Sequence, residues 1–103
     1  MNIVDAHPHI YAADKTSYPT IDDPWEPGEP AEVADLKARM DESGVARAVF
    51  IQTSTNYGFD NRYVMNSAKE NPEWATGVVT LSPDDPSHLE VLEDAVGNYN
   101  VRG

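Results

Sequence analysis

PAEVADLKARMDESGVARAVFIQ, residues 30–52, changes its period at a single glycine. Before Gly44 the apolar side chains Val33, Leu36 and Met40 fall at i, i+3 and i+7, the spacing of one helical face. Pro30 suits a first helical turn, whose N–H groups have no partner within the helix, and Gly44 suits the stop. A helix is therefore expected over residues 30–43. After Gly44 the residues become β-branched and apolar, with Val49, Phe50 and Ile51 consecutive, so residues 46–52 read as a buried strand. A helix leading directly into a buried strand is the repeating step of a parallel α/β sheet.

The same step recurs on both sides. Upstream, residues 3–6 are short and apolar and read as a strand running into His7-Pro8-His9. Residues 11–30 carry Pro19, Pro24, Pro27, Gly28 and Pro30 and show neither a helical nor a strand period, so they read as a long loop. Downstream, a turn is expected around residues 56–58, with Asp60 as N-cap of a helix that reaches Glu70 and stops at Asn71-Pro72. Residues 75–81 form a third strand. Asp85-Pro86 opens a third helix with Leu89, Leu92, Val96 and Tyr99 on one stripe, and residues 101–103 begin a fourth strand. The expected fold is α/β with parallel strands: the N-terminal three βα units of a (β/α)8 TIM barrel. Residues 1–103 are then the first part of one larger domain, since three units in roughly 100 residues extrapolate to the usual barrel of about 250. A complete three-unit sandwich of flavodoxin-like type is the less favoured alternative, because such sheets usually have five strands.

Composition narrows the function. Eighteen acidic against seven basic residues give a formal charge of −11, which repels nucleic acid phosphates and anionic membranes. No apolar run approaches the roughly 18 residues of a membrane span, and the N-terminus lacks the basic start of a signal peptide. A soluble cytoplasmic protein acting on a small molecule is expected, with no nucleic acid or membrane partner and the oligomeric state left open. The absence of cysteine excludes a thiolate nucleophile, a disulfide scaffold and a sulfur-ligated zinc, but not a metal held by nitrogen and oxygen.

Asp5, His7 and His9 are the most informative side chains. Along a strand, positions 5, 7 and 9 face one way, so two imidazoles converge at the C-terminal end, where α/β barrels place their active sites. Neutral imidazole is the commonest protein ligand for zinc and similar ions, and Asp5, one pleat deeper, would orient a ligand. The bland alternative is two unrelated histidines at a strand end. Gln52 and Thr53 after the second strand and Ser82 after the third are candidates for substrate contacts, or ordinary polar strand ends. Tyr57, Asp60 and Asn61 are candidates for the mouth of the pocket, with a helix cap the favoured reading of Asp60. Arg62 is either a bidentate donor to a substrate carboxylate or a solvent-facing arginine, and the second is favoured. Trp25 and Trp74 read as packing anchors and His88 as a surface residue. No dinucleotide, P-loop or serine-elbow motif is present.

Val4-Asp5-Ala6-His7-Pro8-His9-Ile10 resembles the opening of the amidohydrolase superfamily, in its amidohydrolase-related branch of TIM-barrel lactonases and decarboxylases. Tyr18-Pro19, Asp35-Leu36, Gly44-Val45, the run Gly58-Phe59-Asp60-Asn61-Arg62-Tyr63 and the closing Asn100-Val101-Arg102-Gly103 agree in order, so the resemblance spans the chain. Thr20 departs from the pattern, where a tryptophan often follows Tyr-Pro. The resemblance implies a hydrolase that attacks a lactone or related cyclic ester with activated water. His7 and His9 would be ligands of one divalent ion, zinc by preference, although some lactonases of this kind dispense with the metal. The remaining ligands and the general base, an aspartate of the eighth strand, are expected beyond Gly103. A decarboxylase on the same framework, or a truncated chain with no activity of its own, are the alternatives.

Overall fold

Three parallel strands lie side by side in chain order in the computed structural model: β1 (Ile3–Asp5), β2 (Val45–Ile51) and β3 (Ala75–Val78). The structure describes residues 3–5, 8–22, 24 and 31–103, the first three as backbone alone. Val4 pairs with Arg47 and Asp5 with Ala48, after an irregularity next to Ile3, while Ala48 to Ile51 pair in turn with Ala75 to Val78. The expected fourth strand begins where the sequence places it. Gly77 forms a parallel bridge with Val101, and the Val79 N–H donates to the Gly103 carbonyl at 3.0 Å.

The helices are α1 (Val33–Ser43), α2 (Ser54–Tyr57), α3 (Arg62–Glu70) and α4 (His88–Asn98). The predicted start of α1 at Pro30 lies outside the described residues. The described start is set by the Asp35 carboxylate, which accepts the Glu32 N–H at 2.9 Å, half of a capping box. Gly44 ends the helix as expected, in the left-handed region at φ 74° with its N–H on the Met40 carbonyl. The turn expected at residues 56–58 is instead one turn of helix, α2, and the N-cap of α3 is Asn61 rather than the expected Asp60.

Strand alternation sets the core. Ala48 and Phe50 are buried on the helical side, with Met40 from α1, Val64 from α3, Ala75 from β3 and Ile10 from the segment after β1. Trp74 packs edge-on against Phe50 with ring centroids 5.5 Å apart, and the Lys37 ammonium sits 5.5 Å from the Trp74 ring. That is the anchor role expected of Trp74; Trp25 lies outside the described residues. Gly77 lets α3 approach β3, because a Cβ there would stand 3.0 Å from Val64 Cγ1 and 3.4 Å from Ala68 Cβ.

Helix α4 overturns one expectation. Leu89 and Val96 of the proposed stripe are 62% and 44% exposed, and the buried residue is Ala95. Its carbonyl takes the N–H of Tyr99 and of Val101, which pins the end of α4 to the start of the next strand. The pattern weighs large apolar side chains, whereas a close helix–strand junction selects a small one. No helix among the described residues is long and apolar enough to cross a membrane.

Candidate functional site

The C-terminal ends of the strands carry most of the sequence-nominated residues, and the backbone brings them together. The Ile51 N–H donates to the Pro8 carbonyl at 3.0 Å, so the chain continues beside β2 past the end of β1. One residue on, His9 Nδ1 lies 2.9 Å from the Ile51 carbonyl oxygen and 3.3 Å from Thr53 Oγ1. A carbonyl oxygen only accepts, so Nδ1 carries the proton, and the neutral ring keeps its lone pair on Nε2. His9 is exposed at this rim. His7 lies outside the described residues, as does the side chain of Asp5, whose backbone pairs with Ala48.

Gln52 is buried and turned toward the connection between α2 and α3. Its Nε2 donates to the carbonyls of Gly58 at 2.9 Å and Asp60 at 3.2 Å, which fixes the amide orientation. Its Oε1 has no hydrogen-bond partner among the described residues. Tyr57 is buried as well, and its hydroxyl oxygen accepts the Ala12 N–H at 2.8 Å. Burial pushes the phenol pKa of Tyr57 up, and the Ala12 bond opposes this. Arg62 is exposed and forks onto Asp60, with Nε–Oδ1 at 2.9 Å and Nη2–Oδ2 at 2.8 Å. That bond holds the Asp60 carboxyl below its ordinary range against the opposing effect of burial. Asp60 also accepts the Arg62 N–H at 3.1 Å, so it satisfies the helix start from one residue before the N-cap position. Ser82 takes part in a local turn, its carbonyl accepting the Asp85 N–H. His88 is the first residue of α4, partly buried, with Nδ1 2.7 Å from the Asp85 carbonyl.

Two organising features were not visible in the sequence. Asn61, named only as a residue of the mouth, is a clamp: its Oδ1 accepts the Thr80 N–H and its Nδ2 donates to the Thr80 carbonyl, both at 2.9 Å. It thereby ties the start of α3 to the end of β3, as a strand backbone would. The second feature is a set of tyrosines that fasten the long first loop. Tyr57 holds Ala12, Tyr63 accepts the Val33 N–H at 3.3 Å, and Tyr18 accepts from Asn66 Nδ2 at 3.0 Å. The Tyr18 and Tyr63 rings meet at 4.9 Å. Spacing could not reveal these contacts, since each joins segments far apart in the chain.

A divalent ion can be tested against the donors present. The Nδ1–H bond to a backbone carbonyl is the second bond that metal-ligating histidines usually make, and it leaves Nε2 as the nitrogen able to ligate. His9 therefore fits as one ligand. Among the described residues no group of three or more His, Cys, Asp or Glu side chains could hold an ion.

No protein-family model matches the chain, and no curated protein matches it. Three solved structures are similar to it. A candidate 2-pyrone-4,6-dicarboxylic acid hydrolase of Acinetobacter baumannii, with citric acid bound, superposes with a TM-score of 0.80 at 20% identity, over 100% of this chain and 36% of that one. A Pseudomonas putida protein named as a candidate for the same activity gives 0.77 at 24% identity, over 99% of this chain and 35% of that one. An Agrobacterium tumefaciens protein in its apo form gives 0.67 at 24% identity, over 91% and 34%. The chain thus spans about a third of the length of the structures it matches. What the likeness establishes is the architecture: parallel βα units of the kind that build a TIM barrel.

Proposed function

We propose that this chain is the opening part of a TIM-barrel hydrolase of the amidohydrolase-related type, opening a lactone or related cyclic ester with water. The observation that carries the reading is His9 at the rim of parallel strands, its Nδ1–H held by the Ile51 carbonyl at 2.9 Å. Two of the similar structures bear the name of a pyrone dicarboxylic acid hydrolase, and a 2-pyrone is a cyclic ester, so the chemical class agrees. The residues of the whole site, the domain extent and a soluble cytoplasmic setting belong to the same proposal.

His7 and His9 would hold the divalent ion, zinc by preference. When bound, such an ion polarises the ester carbonyl and lowers the pKa of a coordinated water toward about 7. The chain's own residues shape the rim. Gln52 and Asn61 fix the α2–α3 connection to β2 and β3, and Tyr57 holds the first loop against α2. Water adds to the ester carbonyl, the ring C–O bond breaks, and the product is the open-chain hydroxy acid. The proton acceptor in this proposal is an aspartate beyond Gly103. A dicarboxylate substrate needs local positive charge, since the chain's net charge of −11 opposes its approach.

The test is acid release in a pH-stat across a lactone panel that includes 2-pyrone-4,6-dicarboxylate, with metal content measured on the same full-length protein. Acid release lost in His9→Ala is the expected result. Release of carbon dioxide in its place would favour the decarboxylase, and inertness toward the whole panel would sink the hydrolase reading.

A further inference from the structure

We propose that the sheet face turned away from the helices is completed by carboxylate side chains of the strands that follow Gly103, which pair with Arg47 and Arg102 inside the closed barrel. The inference rests on reading the chain as the opening part of a barrel. Strand alternation and pairing settle which side chains share that face. Ala48, Phe50 and Ala75 belong to the core under the helices, and a Cβ on Gly77 would meet Val64 and Ala68 of α3. Val101, bridged to Gly77, is fully buried on the same side. The alternating residues Arg47, Val49, Thr76 and Arg102 therefore stand on the other side, where they line a cavity of about 390 Å³.

Both arginines are exposed there, and neither has an ion-pair partner among the described residues. Arg47 Nη2 donates to the Glu73 carbonyl at 3.3 Å, a single bond for a fork built to make several. Arg102 is held by its backbone, the N–H on the Gly77 carbonyl at 3.0 Å. No described residue that lines the cavity is acidic, in a chain with 18 acidic residues against seven basic ones. The interior of a closed βα barrel is a packed core, filled in layers by side chains of alternate strands. A guanidinium shut into that core is strongly unfavourable unless a counter-charge pairs with it, and a carboxylate matches its two parallel N–H groups. The sheet already grows toward closure at this edge, where Val101 bridges Gly77 and the Gly103 carbonyl accepts the Val79 N–H. The strands still to come must therefore bring acidic side chains to the level of Arg47 and Arg102.

The experiment is a crystal structure of the full-length protein, followed by a double-mutant cycle on each arginine. A carboxylate oxygen within about 4 Å of each guanidinium, from a strand after Gly103, is the expected result. Arg47→Met and Arg102→Met should each lower the urea midpoint, because each leaves a carboxylate unpaired in the interior. Neutralising that carboxylate as well, Asp to Asn or Glu to Gln, should bring the midpoint back toward wild type. The double variant also covers a single variant that fails to fold, and the crystal structure decides if neither folds. A guanidinium that faces only water or a small bound anion overturns its pairing, and so do two single effects that simply add. Acid release is read separately. A protein inert toward lactones with both arginines paired loses only the hydrolase reading, whereas an active one whose arginines face water loses only this pairing.

Discussion

Tyr63 shows how one side chain can serve the loop, the helix and the pH range together. Its hydroxyl oxygen takes the Val33 N–H, and its ring meets Tyr18 and Tyr57. Burial pushes its pKa up to about 12. A raised folded-state value means that the neutral phenol is favoured by folding. Its contribution is complete below about pH 10, where the unfolded tyrosine titrates, and is lost as pH rises toward 12. Alkaline titration followed by phenolate absorbance should show Tyr63 and Tyr57 ionising above the ordinary tyrosine range, with unfolding in the same window. A native protein whose tyrosines all ionise together near pH 10 would contradict this. Gln52 offers a second test at this scale. Gln52→Leu strips two partly buried carbonyls of their buried donor and should cost about 1–3 kcal/mol in urea unfolding. A functional role alone would leave stability untouched.

At the level of elements, the junctions are set by small residues. Gly77→Ala would place a methyl 3.0 Å from Val64 Cγ1 and 3.3 Å from Val101 Cγ2, so overpacking should destabilise the fold by about 1–3 kcal/mol. Adding Val64→Ala should recover part of that loss. Helix α4 gives the complementary case. Ala95→Leu should destabilise, because Ala95 is fully buried, whereas Leu89→Gln should stay within about 0.5 kcal/mol because Leu89 is largely exposed. Equal effects from both would mean that α4 is turned the other way. The helical stripe of α1 was legible because Met40 is large, apolar and buried. The face of α4 was not, because the residue that seats it is an alanine.

For the molecule as a whole, charge is the dominant solution property. A formal charge of −11 on 103 residues repels itself in the folded state, and added salt screens that repulsion. Thermal denaturation should therefore shift upward as sodium chloride is raised from about 0.01 to 0.15 M, over which the screening length falls from about 30 to 8 Å. A falling melting temperature would instead point to ion pairs as the net support, of which Lys37–Asp41 and Arg62–Asp60 are exposed examples.

The sequence by itself determined the alternation of strand and helix, the stop at Gly44 and the return to a strand at Val101. These depend on period, glycine and proline, which act over a few residues. It also singled out His9, though not what holds that ring. Tertiary structure decided the His9 tautomer, through a carbonyl 42 residues away, and the fastening of the first loop by Tyr57, 45 residues from Ala12. It also made Asn61 a clamp on Thr80, 19 residues on. The reason is that a hydrogen bond between distant segments depends on where two backbones meet, and no local pattern records that.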